Sequence, residues 1–318
     1  MRLLAGSLSA ALLFACCADA TFACSSCGCT LNTDLGSQGP VSGEGWRLDL
    51  RYDLVDQDQL RSGGSAAAMP ALPTAEEIEQ ETRNSYTTLG IDYGFSREWG
   101  LDLQLPWLTR HHTTFAEGDT ALSTSDSDSP SDIKLMGRYA GFTPDLSWGL
   151  LFGLKLPTGS RDVKFRSGPA AGEALDRSLQ PGTGTTDALL GVYHYDDFGP
   201  NTGWFGQVLY QHALDERDGY RAGDSLNLNA GLRYYWNDSV TPQLQLNLQA
   251  RGHDTDRDPA GHANSGGRLA YISPGFTFAL SARWHGHSFL QFPLYQYVYG
   301  LQLAPTRVLS LGLSYTFR

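Results

Sequence analysis

Long apolar runs are what this chain most conspicuously lacks. After residue 17 no segment approaches the roughly 18 consecutive apolar residues of a membrane helix, so the sequence does not read as a helical membrane protein. Lysine occurs only at 134, 155 and 164, and the net charge is −11, which argues against nucleic acid as a partner. Cysteine is absent after Cys29. Neither a Cys-x-x-Cys-His haem-attachment run nor a Gly-x-Ser-x-Gly nucleophile elbow occurs.

What is present begins with Met1-Arg2, an apolar run from Leu3 to Cys17, and small residues at Ala18-Asp19-Ala20 and Thr21-Phe22-Ala23. This is the pattern of a secretory signal peptide over 1–23. Leu13-Phe14-Ala15-Cys16 weakly resembles a lipoprotein processing site, with an unusual Phe. A Cys-containing segment follows over 24–44, lying at the periplasmic mouth or in a lumen, and one β-rich unit fills 45–318.

The β signal is a period of two. The final stretch sets Leu309, Leu311, Leu313, Tyr315 and Phe317 against Ser310, Gly312, Ser314 and Thr316. An open strand of this kind aggregates, and a closed barrel removes the edge by pairing the last strand with the first. Its terminal aromatic is similar to the assembly signal of bacterial outer-membrane barrels, apart from the following Arg318. The alternation recurs from Trp46 to Leu54, Thr87 to Phe95, Leu101 to Trp107, Ile133 to Tyr139, Trp148 to Leu156, Leu226 to Trp236 and Leu244 to Ala250. Less regular strands near 185–195, 204–214, 268–280 and 287–299 bring the total, with the terminal strand, to about twelve, an even number as such barrels require. The expected fold is all-β, a transmembrane antiparallel up-and-down β-barrel; a soluble β-sandwich with one polar face is the competing architecture.

Charge and loop length support the barrel. Arg47, Asp49, Arg51, Asp53, Asp92, Asp102, Arg110, Lys134, Arg138, Lys155, Arg233 and Arg251 all fall on the parity opposite the aliphatics. Arg or Lys facing lipid at mid-bilayer costs about 2–4 kcal/mol, so these residues are expected in the lumen, lining a polar path or neutralising one another as a packed plug. Short connections near 96–100, 143–147, 196–203, 237–240 and 281–286 alternate with longer ones near 57–82, 114–131, 159–183, 215–224, 254–267 and 300–306. All seven tryptophans lie near predicted strand ends, as an aromatic girdle would. Residues 75–84 have the composition of a short helix in the first external loop, and Ser123–Asp132 that of an acidic solvated loop.

Four stretches carry a family resemblance: Gly153-Leu-Lys-Leu-Pro-Thr-Gly-Ser160, Leu179-Gln-Pro-Gly-Thr-Gly-Thr-Thr-Asp187, Ile272-Ser-Pro-Gly-Phe276, and Leu290-Gln-Phe-Pro-Leu-Tyr-Gln-Tyr297 with Gly300-Leu-Gln-Leu-Ala-Pro305. From about Trp46 to Arg318 the chain resembles the outer-membrane transporter-like family named for the meta-pathway of phenol degradation, distantly similar to long-chain fatty-acid channels. The resemblance implies an outer-membrane barrel that passes a small, often aromatic or apolar compound. Pro157, Gly159, Pro181, Gly182 and Gly184 bracket the third external loop, which either folds inward to constrict the pore or forms a rigid rim.

Three cysteines, Cys24, Cys27 and Cys29, cannot all pair within the chain. They suit a disulfide that leaves one thiol for a periplasmic partner protein, or a soft metal such as Cu or Zn. His111-His112 and His285-Gly-His287 are further ligand candidates, with strand-end hydrogen bonding as the alternative. An enzyme resembling outer-membrane phospholipase would need Ser and His on the lipid face; His194 and His212 are placed for that, but no matching Ser is found. The expectation is therefore a non-enzymatic outer-membrane channel in contact with lipid and a small solute, with a metal- or redox-linked porin or a non-conducting barrel as alternatives.

Overall fold

A computed structural model describes residues 44–257 and 262–317. Its strands are β1 (Gly45–Gly63), β2 (Ser65–Ala66), β3 (Ile78–Gly94), β4 (Trp99–Phe115), β5 (Leu122–Pro130), β6 (Ile133–Tyr139), β7 (Trp148–Leu156), β8 (Asp187–Asp197), β9 (Thr202–Ala213), β10 (Ser225–Tyr234), β11 (Val240–Arg251), β12 (Gly267–Ala279) and β13 (Trp284–Thr316). Each ring strand pairs antiparallel with its neighbours, and β13 closes onto β1 from Arg47↔Thr316 upward. Eleven strands make the ring; β2 and β5 lie outside it.

A ring of strictly antiparallel neighbours needs an even number of passes. The eleven strands satisfy this because β13, 33 residues long, doubles back. Its first half pairs with β12 and its second with β1. The halves bond to each other as well: Thr316 N donates to Arg283 O at 3.0 Å, and Ser314 Oγ to His285 O at 3.4 Å. The reversal lies between Val298 and Leu301, where Gly300 takes φ 70°. Twelve passes result.

Burial is the inverse of a soluble domain. Leu50, Leu244 and Leu313 are exposed, while Arg47, Gln245, Asn247 and Ser310 beside them are buried, and buried polar side chains outnumber buried apolar ones. Only a barrel in lipid with a polar interior makes that arrangement favourable, which disposes of the β-sandwich. Trp46, Trp99, Trp148, Trp204, Trp236 and Trp284 all lie at the end with the short turns. Trp107 stands eight residues along β4 from Trp99 on the same outward face, which at about 3.3 Å per residue and about 40° of tilt is about 20 Å higher. Its indole donates to Asp128 at 2.6 Å. Beyond it the outward face turns charged: Asp56 lies between Arg83 (2.8 Å) and Arg307 (3.1 Å), and His111 meets Asp126 (2.7 Å). The apolar band therefore ends near Trp107.

Several loops expected from the sequence are strand instead. β1 runs on to Gly63 and β3 starts at Ile78, so most of 57–82 is ladder; β4 and β5 likewise take up most of 114–131. Residues 78–84 form strand rather than helix, because the neighbouring strands continue upward and offer hydrogen-bond partners to each residue, as in Arg83↔His111 and Asn84↔Val55. The acidic Ser/Asp stretch becomes β5 by the same means, with Ser123, Ser125 and Ser127 inward and Asp126 and Asp128 outward in water. Residues 300–306 belong to β13, since its reversal is tight.

Candidate functional site

All twelve charged residues expected in the lumen lie on inward-facing ladder positions. Near the short-turn end Arg47 pairs with Asp49 (2.9 Å) and approaches Asp92 (3.9 Å), which Arg138 reaches from the other side (3.8 Å). Arg233 lies 4.0 Å from Asp197 and within 6 Å of the Phe205 and Tyr235 rings. Towards the outer end Arg51 pairs with Asp53 (2.7 Å), Lys155 is held between Asp132 (3.1 Å) and Asp187 (3.0 Å), and Arg251 pairs with Asp254 (2.6 Å). Arg110 donates to Asn84 and to the Leu179 carbonyl. Buried ions survive only when so compensated. Asp49, Arg51, Asp102 and Lys134 are half-buried between these layers, and cavities of about 70 and 100 Å³ open beside them.

The third external loop packs back against the wall. Between β5 and β6, the Asp132 carboxylate accepts from Gly159 N (3.0 Å), Thr183 N (2.9 Å) and Thr183 Oγ1 (2.9 Å). Gly159 and Gly182 meet backbone to backbone: a Cβ on Gly182 would lie 2.6 Å from the Gly159 carbonyl. Gly184 takes φ 79°, the left-handed region that glycine favours. Pro181 is buried and its carbonyl accepts from Ser131, whereas Pro157 is exposed at the end of β7. Leu179 joins a small apolar cluster with Phe165, Ala170 and Leu175.

Two luminal features do not appear among the charged residues singled out from the sequence. The first is an uncharged network over β10–β13: Asn247 donates to Asn229 (2.7 Å), Ser273 to Asn247 (2.6 Å), and Gln291 to both Asn247 (3.2 Å) and Ser273 (3.1 Å). Its signal is present in the sequence, since Gln243, Gln245, Asn247 and Gln249 alternate with Leu244, Leu246 and Leu248. The second is a set of inward apolar side chains, Leu151, Leu189 and Leu209, which parity alone does not separate from lipid-facing ones.

The histidines are dispersed. His111 faces outward and His112 inward, where its Nδ1 lies 2.8 Å from the Thr82 hydroxyl, so the two do not share a ligand. Among the described residues no group of three or more His, Cys, Asp or Glu is placed to hold a metal. Cys24, Cys27 and Cys29 lie outside the described residues. His194 stacks on Trp148 at 4.3 Å, and its ladder neighbours are Trp148 and Gly206. His212 lies 2.8 Å from Asp224, to which the Tyr210 hydroxyl also donates at 2.5 Å. Burial opposes ionisation of Asp224, but those two partners outweigh it and hold the carboxyl below its ordinary range. The ladder partner of His212 on β8 is Ala188.

No family model matches the chain, and no curated protein matches it. Solved structures do. An outer-membrane channel from Pseudomonas putida F1 is similar over 90% of this chain and 100% of its own, with a TM-score of 0.65 at 13% identity. The chain has the fold of an outer-membrane channel. The monoaromatic hydrocarbon channel TodX, as a deltaS2 mutant, is similar over 88% of this chain and 92% of its own, with a TM-score of 0.51 at 10% identity. At these identities the likeness is one of fold.

Proposed function

We propose that this chain is a bacterial outer-membrane channel for a small apolar or aromatic molecule. The observation that carries the reading is the combination of an apolar outer band and a polar, charge-paired lumen in a barrel whose fold is similar, over 90% of the chain, to that of an outer-membrane channel. The monoaromatic solute of TodX and the sequence resemblance to the meta-pathway transporter-like family support the same class of cargo. That the structurally similar proteins are channels supports a role without catalysis.

The proposal includes removal of residues 1–23 as a signal peptide, and a soft-metal, disulfide or partner-docking role for Cys24, Cys27 and Cys29 at the periplasmic side. The test is single-channel conductance of refolded protein in planar bilayers, wild type beside a Cys24/Cys27/Cys29→Ser variant, with and without Cu or Zn. A steady current is expected. Its absence from a barrel shown to be folded by heat-modifiable migration overturns the channel reading, and a metal response equal in both proteins removes the cysteines from it.

A further inference from the structure

Most of the lumen offers amides and paired charges, a poor surface for an apolar solute. One place differs. On β7, β8 and β9 the inward side chains Leu151, Leu189 and Leu209 replace polar ones, and Met136 of β6 adjoins them. Register makes the patch continuous: Met136 pairs with Gly153, which pairs with Leu189, while Leu151 pairs with Gly191, which pairs with Leu209. The two glycines place no side chain between the apolar ones. A cavity of about 100 Å³ lies against this wall, and a second of about 70 Å³ shares Asp102 and Gln104 with it. An apolar cavity of about 150 Å³ holds benzene, so the first cavity admits a single ring only where Asp102 and Gln104, the side chains between the two cavities, turn aside.

The same cavity is bordered by Lys134, two residues from Met136 along β6 and so about 7 Å above the apolar patch. Its neighbours are matched with acids: Lys155 with Asp132 and Asp187, Arg51 with Asp53, Arg47 with Asp49. Lys134 makes no ion pair among the described residues, although its ladder partner on each side, Gln104 and Lys155, brings no carboxylate. Across the lumen, the Nε2 atom of His287 is buried without a hydrogen-bond partner and borders the second cavity. Asp102 borders both cavities and accepts from Gln104 at 2.7 Å, so a ligand bearing two negative groups would meet a like charge.

We propose that this chamber binds small monocarboxylates with an apolar body, of the class of benzoate. The carboxylate sits on the Lys134 ammonium as a charge-assisted hydrogen bond, and the ring lies on Leu151, Leu189 and Leu209. This rests on the channel reading above and narrows its cargo from aromatic compounds in general to aromatic monoacids.

The test is interruption of the KCl current through the refolded full chain in planar bilayers by benzoate, with benzyl alcohol as the uncharged analogue of similar size and acetate as the acid without a ring. Benzoate is expected to block the wild type, and Lys134→Met to weaken that block at least tenfold while Lys134→Arg retains it. Leu189→Asn weakens block by benzoate and leaves the response to acetate unchanged. Equal block by benzyl alcohol, or benzoate block unaltered in Lys134→Met, overturns the site while leaving the channel intact. If the wild type carries no current, the channel reading falls separately, and calorimetric titration with benzoate decides the site: a tenfold loss in Lys134→Met supports it, and no binding or equal binding overturns it.

Discussion

Lys155 is the side chain on which the outer half of the lumen most depends. Its ammonium answers two buried carboxylates, Asp132 and Asp187, and Asp132 in turn holds the third loop through Gly159 and Thr183. Removing one member of a buried ion pair costs about 3–5 kcal/mol. Lys155→Met should lower the urea midpoint accordingly and also open residues 160–181 to limited proteolysis. Gly182→Val should open the same segment with a smaller effect on the barrel, about 1–3 kcal/mol, because the new side chain would strike the Gly159 backbone. At the other rim, Asp145 accepts from Ser147 N (3.3 Å) and Ser147 Oγ (3.0 Å), and hydrogen bonds from Thr143 and Ser147 hold its carboxyl below the ordinary 3.8. A depressed folded value means stabilisation present above that ordinary value and lost as pH falls. The destabilisation caused by Asp145→Asn, read as an unfolding midpoint, should therefore be seen at pH 7 and shrink towards pH 3. The inward position of Lys155 is legible in the sequence, because it alternates with Leu154 and Leu156, whereas Asp132 reads there as part of a solvated loop. The pairing of Lys155 is not: it meets Asp187 on another strand, 32 positions away, and only register brings them together.

At the level of elements, the two faces of one strand carry opposite demands. On β11, Leu246 points into lipid and Asn247 into the amide network. Leu246→Arg should reduce folding stability in vesicles by about 2–4 kcal/mol, a penalty that fades for outward positions above Trp107 such as Thr109. Strand existence was readable from this alternation, and strand length was not. The outer parts of β1, β3 and β5 leave the bilayer, so Glu79, Arg83 and Asp126 need no apolar face and the pattern that marks a strand disappears while its hydrogen bonds continue. The reversal in β13 falls where the sequence expects a connection between a strand near 287–299 and the terminal one, but it is tighter than the expected 300–306. Between Tyr295 and Thr306 the residues are those of a loop, Gln, Tyr, Gly and Pro among them, yet the two halves meet across the turn, where the Gln296 amide donates to the Pro305 carbonyl at 2.6 Å.

For the molecule as a whole, the wall is uneven. β1, β3 and β4 run 19, 17 and 17 residues, whereas β7 runs nine, so one side of the barrel stands well above the membrane and the other ends near it. The third loop fills the gap left by the low side, anchored there at Asp132 and Lys155 and reached from the tall side by Arg110 of β4. Closure depends on the last ladder: truncation before Ser310 removes the partners of Arg47 to Asp53, and such a chain should fail to give a compact, heat-modifiable band. The seam is in regular register from Arg47 to Asp56. Phe317 N donates to Trp46 O at 2.8 Å, so the two ends of the described barrel touch at the short-turn rim, and up to Asp56 the β13–β1 ladder is antiparallel and unbroken like its neighbours. Topologically the barrel is a loop that happens to be cut there. A short linker from Phe317 to Glu44, with new ends opened in the turn between β8 and β9 on the same rim, yields a circular permutant with the same ladders, the same lumen and both termini on the original side of the membrane.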